Sequence, residues 1–425
     1  MTLDRRALLG ALGLAAGAAG VAQAQTSPPA PPTQAQPSLE ERMAARAMEN
    51  RHRLAFDGAR FSGPAYDMML EAGRNAQFFC IGEEHGIAEN PKLAAQLFTD
   101  LTGAGYSKVA VEISPPMAGE LDRAARTGLD SLRAMLADPR RGVAFFGMRE
   151  EAEWIAAARA AAPDREALWG LDYEVGGWGH LLDRLAATRK PAAAQAAFAA
   201  MNAEAEALSA QFAQSRSPQH LYSFAGDPAL VAATRAAWPN ADAESAWMLE
   251  TLEETLAINR LWMTQQPWAS NERRARFNRA NFRRYWDAER RKPRVMLKFG
   301  MSHMVRGVSH TQVFDIGNQV SELAEAMGAR SYHVAVMPGV GTQHARMDVQ
   351  TWRYAPADVG TYTDSGLAPL MDAAFADAMT LVDLTAVRPL VFGRRHMALN
   401  ADLVRMVHGF DALLIMTGST ASVNL

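Results

Sequence analysis

The sequence holds a single cysteine, Cys80, among its 425 residues. One cysteine excludes an intramolecular disulfide and every metal site built on paired cysteines. Cys80 lies in the apolar run Phe78–Ile81, so we expect a small, buried side chain at this position. A reactive thiol is the alternative.

Several familiar motifs are also missing. The chain contains no G-x-S-x-G, no H-E-x-x-H, no phosphate-binding P-loop and no G-x-G-x-x-G after a strand. Standard serine esterases, H-E-x-x-H metalloproteases and the common nucleotide-binding proteins are therefore poor matches. The formal net charge of −3 gives no reason to expect general binding to nucleic acid or to an anionic membrane.

One helical segment carries a run of positive charge that could face nucleic acid. Its arginines are Arg273, Arg274, Arg276, Arg279, Arg283 and Arg284. No aromatic platform accompanies them, and nearby carboxylates can pair with them, namely Glu244, Glu250, Glu253 and Glu254. We therefore predict a solvated, salt-bridged helix surface and no nucleic-acid partner.

The N-terminal region has the pattern of a targeting segment. Arg5-Arg6 precede a mild apolar stretch, Ala7–Ala22, and the A-x-A sequence Ala22–Ala24 follows. This predicts a twin-arginine signal peptide over residues 1–24, cleaved near Ala24, and export to the periplasm by the twin-arginine machinery. An ordinary secretory signal is the alternative. The stretch is too short and too weakly hydrophobic for a permanent membrane anchor.

The remaining chain divides into a Pro/Gln-rich linker, residues 25–38, and a domain over residues 39–425. Short apolar runs bounded by Gly, Pro or polar residues predict the strands Gln77–Ile81, Lys108–Val111, Ala167–Leu171, Arg294–Phe299, Tyr332–Met337 and Leu413–Met416. Segments whose apolar residues have helical spacing lie between these strands. This alternation predicts an α/β fold with a mostly parallel central sheet and helices on both faces.

A helical insertion at about residues 180–291 interrupts this alternation. It contains Ala-rich helical patterns over Pro191–Phe212, Ala243–Met263 and Asn271–Arg291, and no convincing strand. Such insertions often complete a pocket. Substrate choice is therefore expected to depend on this region and on the loops.

Charged side chains gather just after the predicted strands, where the carboxyl ends of parallel strands place functional groups. The first strand leads into Gly82–Gly86, which contains Glu83 and His85. The second is followed by Glu112, the third by Asp172, and the fourth by Gly300–His303. We expect these side chains to meet at one edge of the sheet.

Each of these residues also has a structural interpretation. Glu83 could cap the following helix, and Asp172 could anchor its own loop. Glu112 is flanked by apolar residues and is expected to be buried, so it needs a partner or a proton. If Glu83 and Glu112 lie close together, their repulsion is expected to raise the pKa of one of them.

The motifs Gly82–Gly86, Val109–Glu112 and Trp169–Tyr173 resemble those of the erythromycin-esterase-like family. More distantly, the chain is similar to the ChaN-like haem-binding proteins and to the Tiki/TraB group. Phe299–Met304 is similar to the family's later histidine motif. The predicted helix Asn271–Arg291 is loosely similar to the family's Arg/Asn helix. At helical spacing, one face of it carries Arg274, Asn278, Asn281 and Tyr285.

The resemblance implies hydrolysis of an ester or related acyl bond of a small-molecule substrate. His85 would act as general base on water, oriented by Glu83 or Glu112. His303, with Arg274, would stabilise the oxyanion or protonate the leaving group. Substrate-binding residues would be Asp172, Arg274 and Asn281.

Three alternatives remain open at this stage. A divalent metal such as zinc or manganese could be bound by the same His and carboxylate residues, as in a Tiki/TraB-type hydrolase. A ChaN-like protein would bind haem or iron without turnover. The third alternative is a degenerate site on a scaffold protein. No cofactor is assigned, and a metal and haem are the candidates.

Overall fold

The computed structural model describes residues 36–138, 142–163, 166–348, 351, 353–359, 366–393, 397 and 399–425. The predicted signal peptide and linker residues 25–35 lie outside the described residues. Leu39–Leu425 forms one compact unit. Among the described residues, no helix has the length and apolar character needed to cross a membrane.

The strands of the described residues are β1 (Arg51–Phe56), β2 (Phe61–Ser62), β3 (Phe78–Glu83), β4 (Tyr106–Val111), β5 (Leu168–Gly170), β6 (Arg294–Gly300), β7 (Ser331–Pro338), β8 (Gln343–Asp348), β9 (Arg353–Asp358), β10 (Met379–Asp383) and β11 (Ala412–Met416). Nine of them form one sheet in the order β2-β1-β10-β11-β7-β3-β6-β4-β5. The other two, β8 and β9, pair as a separate antiparallel hairpin.

The six strands from β11 to β5 in this order are parallel to their neighbours, whereas β10, β1 and β2 add antiparallel pairs at one side. The prediction of an α/β fold with a mostly parallel central sheet is therefore confirmed. All six predicted strands are the parallel ones. The antiparallel strands were not predicted. β1 and β9 contain exposed polar positions and lack the continuous apolar run of a doubly covered strand. β10 is buried from Met379 to Val382 and was missed without such a reason.

The helices are α1 (Leu39–Glu49), α2 (Pro64–Asn75), α3 (Glu89–Leu101), α4 (Pro115–Thr127), α5 (Leu129–Leu136), α6 (Arg149–Ala161), α7 (Trp178–Ala187), α8 (Ala192–Ser215), α9 (Tyr222–Ala225), α10 (Pro228–Ala237), α11 (Ala243–Met263), α12 (Pro267–Ala288), α13 (Ile316–Ala326), α14 (Ala368–Met371), α15 (Leu384–Val387) and α16 (Ala401–Gly409). They cover both faces of the sheet.

Alternation along β3 shows how the two layers form. Phe79 and Ile81 point into one apolar layer, which α3 and α6 complete. Phe78 and Cys80 point into the other, against α12 and α13. Cys80 is fully buried in this second layer, as expected for a small core residue, and burial raises the pKa of its thiol.

Between β5 and β6 the described chain forms only helices, from α7 to α12. The arginine-rich helix α12 bears ion pairs along its surface, namely Arg273–Glu254, Arg276–Glu272, Arg283–Asp287 and Arg284–Glu250. Its inner face reaches the carboxyl edge of the sheet, where the charged residues described next are found.

Candidate active site

The register of the sheet brings three strand ends together. Glu83, the last residue of β3, is the partner of Gly300 at the end of β6. On the other side of β6, Val111 of β4 is the partner of Lys298. The residues that follow these strands therefore share one edge, as expected for a parallel sheet.

Glu112 is the centre of the site. Its Oε2 accepts a hydrogen bond from the Gly300 amide at 2.6 Å, and its Oε1 accepts one from Arg274 Nη2 at 2.7 Å. His85 Nε2 and His303 Nε2 each lie 3.3 Å from one of its oxygens. Burial alone would raise the pKa of Glu112, but His303 and His85 hold it well below its usual range.

His85 lies between two carboxylates. Its Nδ1 is 3.1 Å from Glu83 Oε1, and its Nε2 faces Glu112. The side chain is 26% exposed and stacks on Phe145 at a ring-centroid distance of 4.0 Å. Burial disfavours the imidazolium, but Glu112 and Glu83 outweigh it and raise the pKa of His85 to about 10.

The expected repulsion between Glu83 and Glu112 is not found, because the imidazole of His85 separates them. Burial raises the pKa of Glu83, but Lys298 and His85 outweigh it, so that the pKa is lowered. The pKa of Glu112 is lowered as well. The raised pKa, which was expected only if these two carboxylates lay close together, is therefore not found.

His303 is held on both sides of its ring. Nδ1 lies 2.7 Å from Asp315 Oδ2, and Nε2 faces Glu112. Burial and Arg274 lower the pKa of His303, but Glu112 and Asp315 outweigh them and raise it to about 10. Asp315 was missed from the sequence. It lies in the loop before α13, where its other oxygen accepts the Ile316 amide as a helix cap.

Arg274 of α12 joins Asp172 to Glu112. Its Nε lies 2.9 Å from Asp172 Oδ1 and its Nη2 also bonds Asp172, in a two-nitrogen contact with the carboxylate. The ring of Tyr173 lies 5.0 Å below the guanidinium. Burial opposes the charge, but Asp172 and Glu112 outweigh it and raise the pKa of Arg274 further.

Two asparagines on the same face of α12 fix this helix to the end of β5. Asn281 Nδ2 donates to the Leu171 carbonyl at 2.8 Å, and Trp247 Nε1 donates to its Oδ1 at 3.3 Å. Asn278, with its amide nitrogen turned to the acceptors, donates to Asp172 Oδ1 at 3.1 Å. Asn281 is 3% exposed, so here it positions the helix.

Two further charged residues complete the cluster and were missed from the sequence. Lys298 Nζ donates to Glu83 Oε1 and to Glu151 Oε1, both at 2.7 Å. Lys298 stands within the apolar run of β6, which was a usable signal. Glu151 comes from α6, and nothing local marks it.

The site can also be tested for a metal ion. Glu112, Asp172 and His303 offer ligand atoms that all lie within 4.8 Å of one another. Arg274 bonds both carboxylates of this set, so its positive charge already lies where an ion would have to bind. The three residues therefore do not fit a divalent ion while Arg274 holds this position.

In proteins haem iron is held by His, Cys, Met or Tyr side chains, and neither site histidine offers a free ring nitrogen for this role. Both ring nitrogens of His85 face carboxylates, and so do both ring nitrogens of His303. As arranged, the two site histidines do not fit the role of haem ligands.

No family model matches the chain, and no curated protein sequence matches it. Solved structures do match. A Bacillus cereus protein has a TM-score of 0.55 at 12% identity, over 92% of this chain and 100% of that one. A succinoglycan biosynthesis protein has a TM-score of 0.56 at 13% identity, over 90% and 98% of the two chains.

A mutant of the erythromycin esterase EreC in its open conformation has a TM-score of 0.55 at 14% identity, over 85% of this chain and 95% of that one. The predicted resemblance to an erythromycin esterase is thus confirmed at the level of the fold. The likeness to the haem-binding ChaN of Campylobacter jejuni is weaker, with a TM-score of 0.30, and carries no argument about haem.

Proposed function

We propose that the protein is an exported hydrolase that cleaves an ester or related acyl bond of a small-molecule substrate, with water activated at His85. The observation that carries the proposal is the placement of His85. Its imidazole is partly exposed at the sheet edge, and a carboxylate lies against each ring nitrogen. A fold in common with a protein named as an erythromycin esterase supports the ester class.

In this mechanism Glu83 holds Nδ1 of His85, and Nε2 is the basic nitrogen. The contact of Nε2 with Glu112, at 3.3 Å, is the longer of the two, so it is the one that water replaces. Water gives a proton to Nε2 while its oxygen attacks the carbonyl carbon. Glu83 stabilises the imidazolium that forms, as the carboxylate does in a catalytic triad.

The oxyanion that forms lies beside Arg274 and protonated His303, which stabilise its charge. The bond from the carbonyl carbon to the leaving oxygen then breaks, and the imidazolium of His85 returns its proton to that oxygen. The products are a carboxylic acid and an alcohol. The side chains of Arg274 and His303 are 21% and 10% exposed, so Arg274 is the more accessible of the two.

The test is turnover of a panel of esters and lactones by the mature protein. His85→Asn is expected to lower kcat by about 10²- to 10⁴-fold, the usual contribution of a general base. His408→Asn is the matched control, because His408 lies on α16 and bonds the Val391 carbonyl away from the site. Equal turnover by the two variants would refute the assignment of His85.

Export rests on the sequence of the N-terminal region. Replacing Arg5-Arg6 with Lys-Lys is expected to keep the protein in the cytoplasm, because the paired arginines are the address that the twin-arginine machinery reads. Cell fractionation and the intact mass of the exported protein measure this. An exported product beginning at Gln25 supports the proposal, and unchanged export of the Lys-Lys variant contradicts the twin-arginine route.

A further inference from the structure

Lys298 is a buried lysine near the carboxyl end of β6, an interior strand of the sheet. Along β6, Val295, Leu297 and Phe299 fill one apolar layer, and Met296 faces the other. Lys298 points to the same side as Met296 but is charged and only 5% exposed. Removing an ammonium group from water costs several kcal/mol. The ion pairs and hydrogen bonds of the buried group must offset that cost. An apolar residue would fill this position at lower cost.

The partners of Lys298 connect it to the site. Its Nζ donates to Glu83 Oε1, and the same oxygen lies 3.1 Å from His85 Nδ1. Its other partner is Glu151 of α6. Among the described residues, the second carboxylate oxygens of Glu83 and Glu151 are buried and have no hydrogen-bond partner. Lys298 therefore links the two carboxylates through one oxygen of each.

A second buried lysine shows what a purely structural ion pair looks like in this sheet. Lys108 of β4 is as exposed as Lys298, at 4% of its side chain, and pairs with Glu289 at 2.8 Å. It also donates to the Glu166 carbonyl. Lys108 lies near the start of its strand, at the edge of the sheet opposite the site.

We propose that Lys298 and Glu151 are positioning residues that fix the Glu83 carboxylate against the imidazole of His85. The proposal rests on the proposed function, in which that imidazole activates water. Glu151 anchors the lysine from α6, and the lysine directs one oxygen of Glu83 toward Nδ1. Burial raises the pKa of Glu151 against the opposing charge of Lys298.

The test is the titration of His85 followed by NMR of the full chain with ¹⁵N-labelled histidine, its signals assigned with His85→Asn. Lys298→Met removes a cation next to Glu83, so the pKa of His85 is expected to rise by about one. Glu151→Gln removes an anion and leaves Lys298 to compete for Glu83, so the pKa is expected to fall. In the double variant the two changes are expected to cancel in large part.

Lys108→Met is the matched control, and its His85 titration is expected to equal that of the unsubstituted protein. The remaining charges that face His85, namely Glu112 and beyond it Arg274 and His303, are the same in every variant. Opposite shifts in the two single variants support the proposal. Unmoved titrations, or shifts of the same sign, overturn it.

Glu151→Gln keeps the test decisive if Lys298→Met does not fold, because glutamine preserves the shape of the side chain. The titration needs no substrate, so it gives a result even if the panel shows no turnover. If esters are hydrolysed, Lys298→Met is also expected to lower kcat about tenfold or more with KM little changed, and Lys108→Met is not. If the protein hydrolyses esters but the pKa of His85 is the same in every variant, this inference is overturned and the proposed function is not.

Discussion

At the scale of single residues, Glu112 decides how the site is held together. This carboxylate meets a guanidinium, two protonated imidazoles and a backbone amide within 3.3 Å. A buried charge is stable only when its partners are present. When one member of the network is removed, the loss of stability comes mainly from the charges that stay buried without a partner.

We expect Glu112→Gln to lower the free energy of unfolding by about 3–5 kcal/mol, the range for breaking a buried ion network. Glu250→Gln is the control, because Glu250 and its partner Arg284 are 46% and 44% exposed. Its loss is expected to stay below about 1 kcal/mol. Urea unfolding measures both, and comparable losses would contradict the central role of Glu112.

The protonation of His85 sets the pH dependence of turnover. With a pKa of about 10, His85 is mostly protonated at neutral pH, and the basic form grows as the pH rises. We expect kcat/KM to increase about tenfold per pH unit from about pH 7 to 9 and to peak near pH 10, because protonated His303 is lost above that pH. A profile that falls over this range would instead make the imidazolium the active form, acting as an acid.

At the scale of elements, the turn between β3 and α3 gives His85 its place. Gly86 has φ +86°, and a Cβ there would lie 2.4 Å from the Ala345 carbonyl oxygen. The Gly86 carbonyl accepts from Ala345 N at 2.8 Å and from Ser422 N at 2.9 Å. The hairpin strand β8 and the segment after β11 therefore fix the turn that carries His85.

We expect Gly86→Ala to destabilise the protein by about 3 kcal/mol or more, since left-handed strain adds to a backbone clash. Gly58→Ala separates the two causes. Gly58 has φ +96° and nothing within 4 Å of a Cβ, so only the strain of about 1–2 kcal/mol remains. Thermal unfolding compares them, and equal losses would rule out the contact with Ala345 as a cause.

At the scale of the whole molecule, the site links stability to pH. His85 and His303 have pKa values raised to about 10 in the folded state, against about 6.5 in an unfolded chain. Their contribution to stability is full below about pH 6.5 and is lost as the pH rises through about 10. His333 has a pKa lowered to about 3 by burial, so it adds no slope in this alkaline window.

We therefore expect the free energy of unfolding to fall steadily between about pH 7 and 10. In His85→Asn the slope is expected to be shallower by about one proton. Urea unfolding at several pH values measures both slopes. The idea fails if the stability of the unsubstituted protein is flat over this range.

The sequence allowed some elements to be predicted much better than others. The parallel strands could be predicted because burial on both faces leaves a continuous apolar run, as in β3 and β11. In contrast, β1 is exposed at alternate positions, and the hairpin of β8 and β9 is largely polar. The sequence pattern of this hairpin therefore resembles that of a loop.

The same contrast holds in the site. Glu83, His85, Glu112 and His303 directly follow or end predicted strands, so the sequence alone places them at one edge of the sheet. Phe145 and Glu151 belong to a loop and a helix start without such a marker. Their contact with the site depends on how those segments pack.

Local features can be read directly from the residues: the alternation of strands and helices, and the charged residues at strand ends. Which charged groups pair with each other depends on the folding of the whole chain. Arg274 reaches Glu112 across 162 residues and Asp172 across 102, and Lys298 reaches Glu83 across 215. Periodicity fixes the face of an element, but the partner across the sheet is fixed by strand order and register, which arise from packing the whole chain.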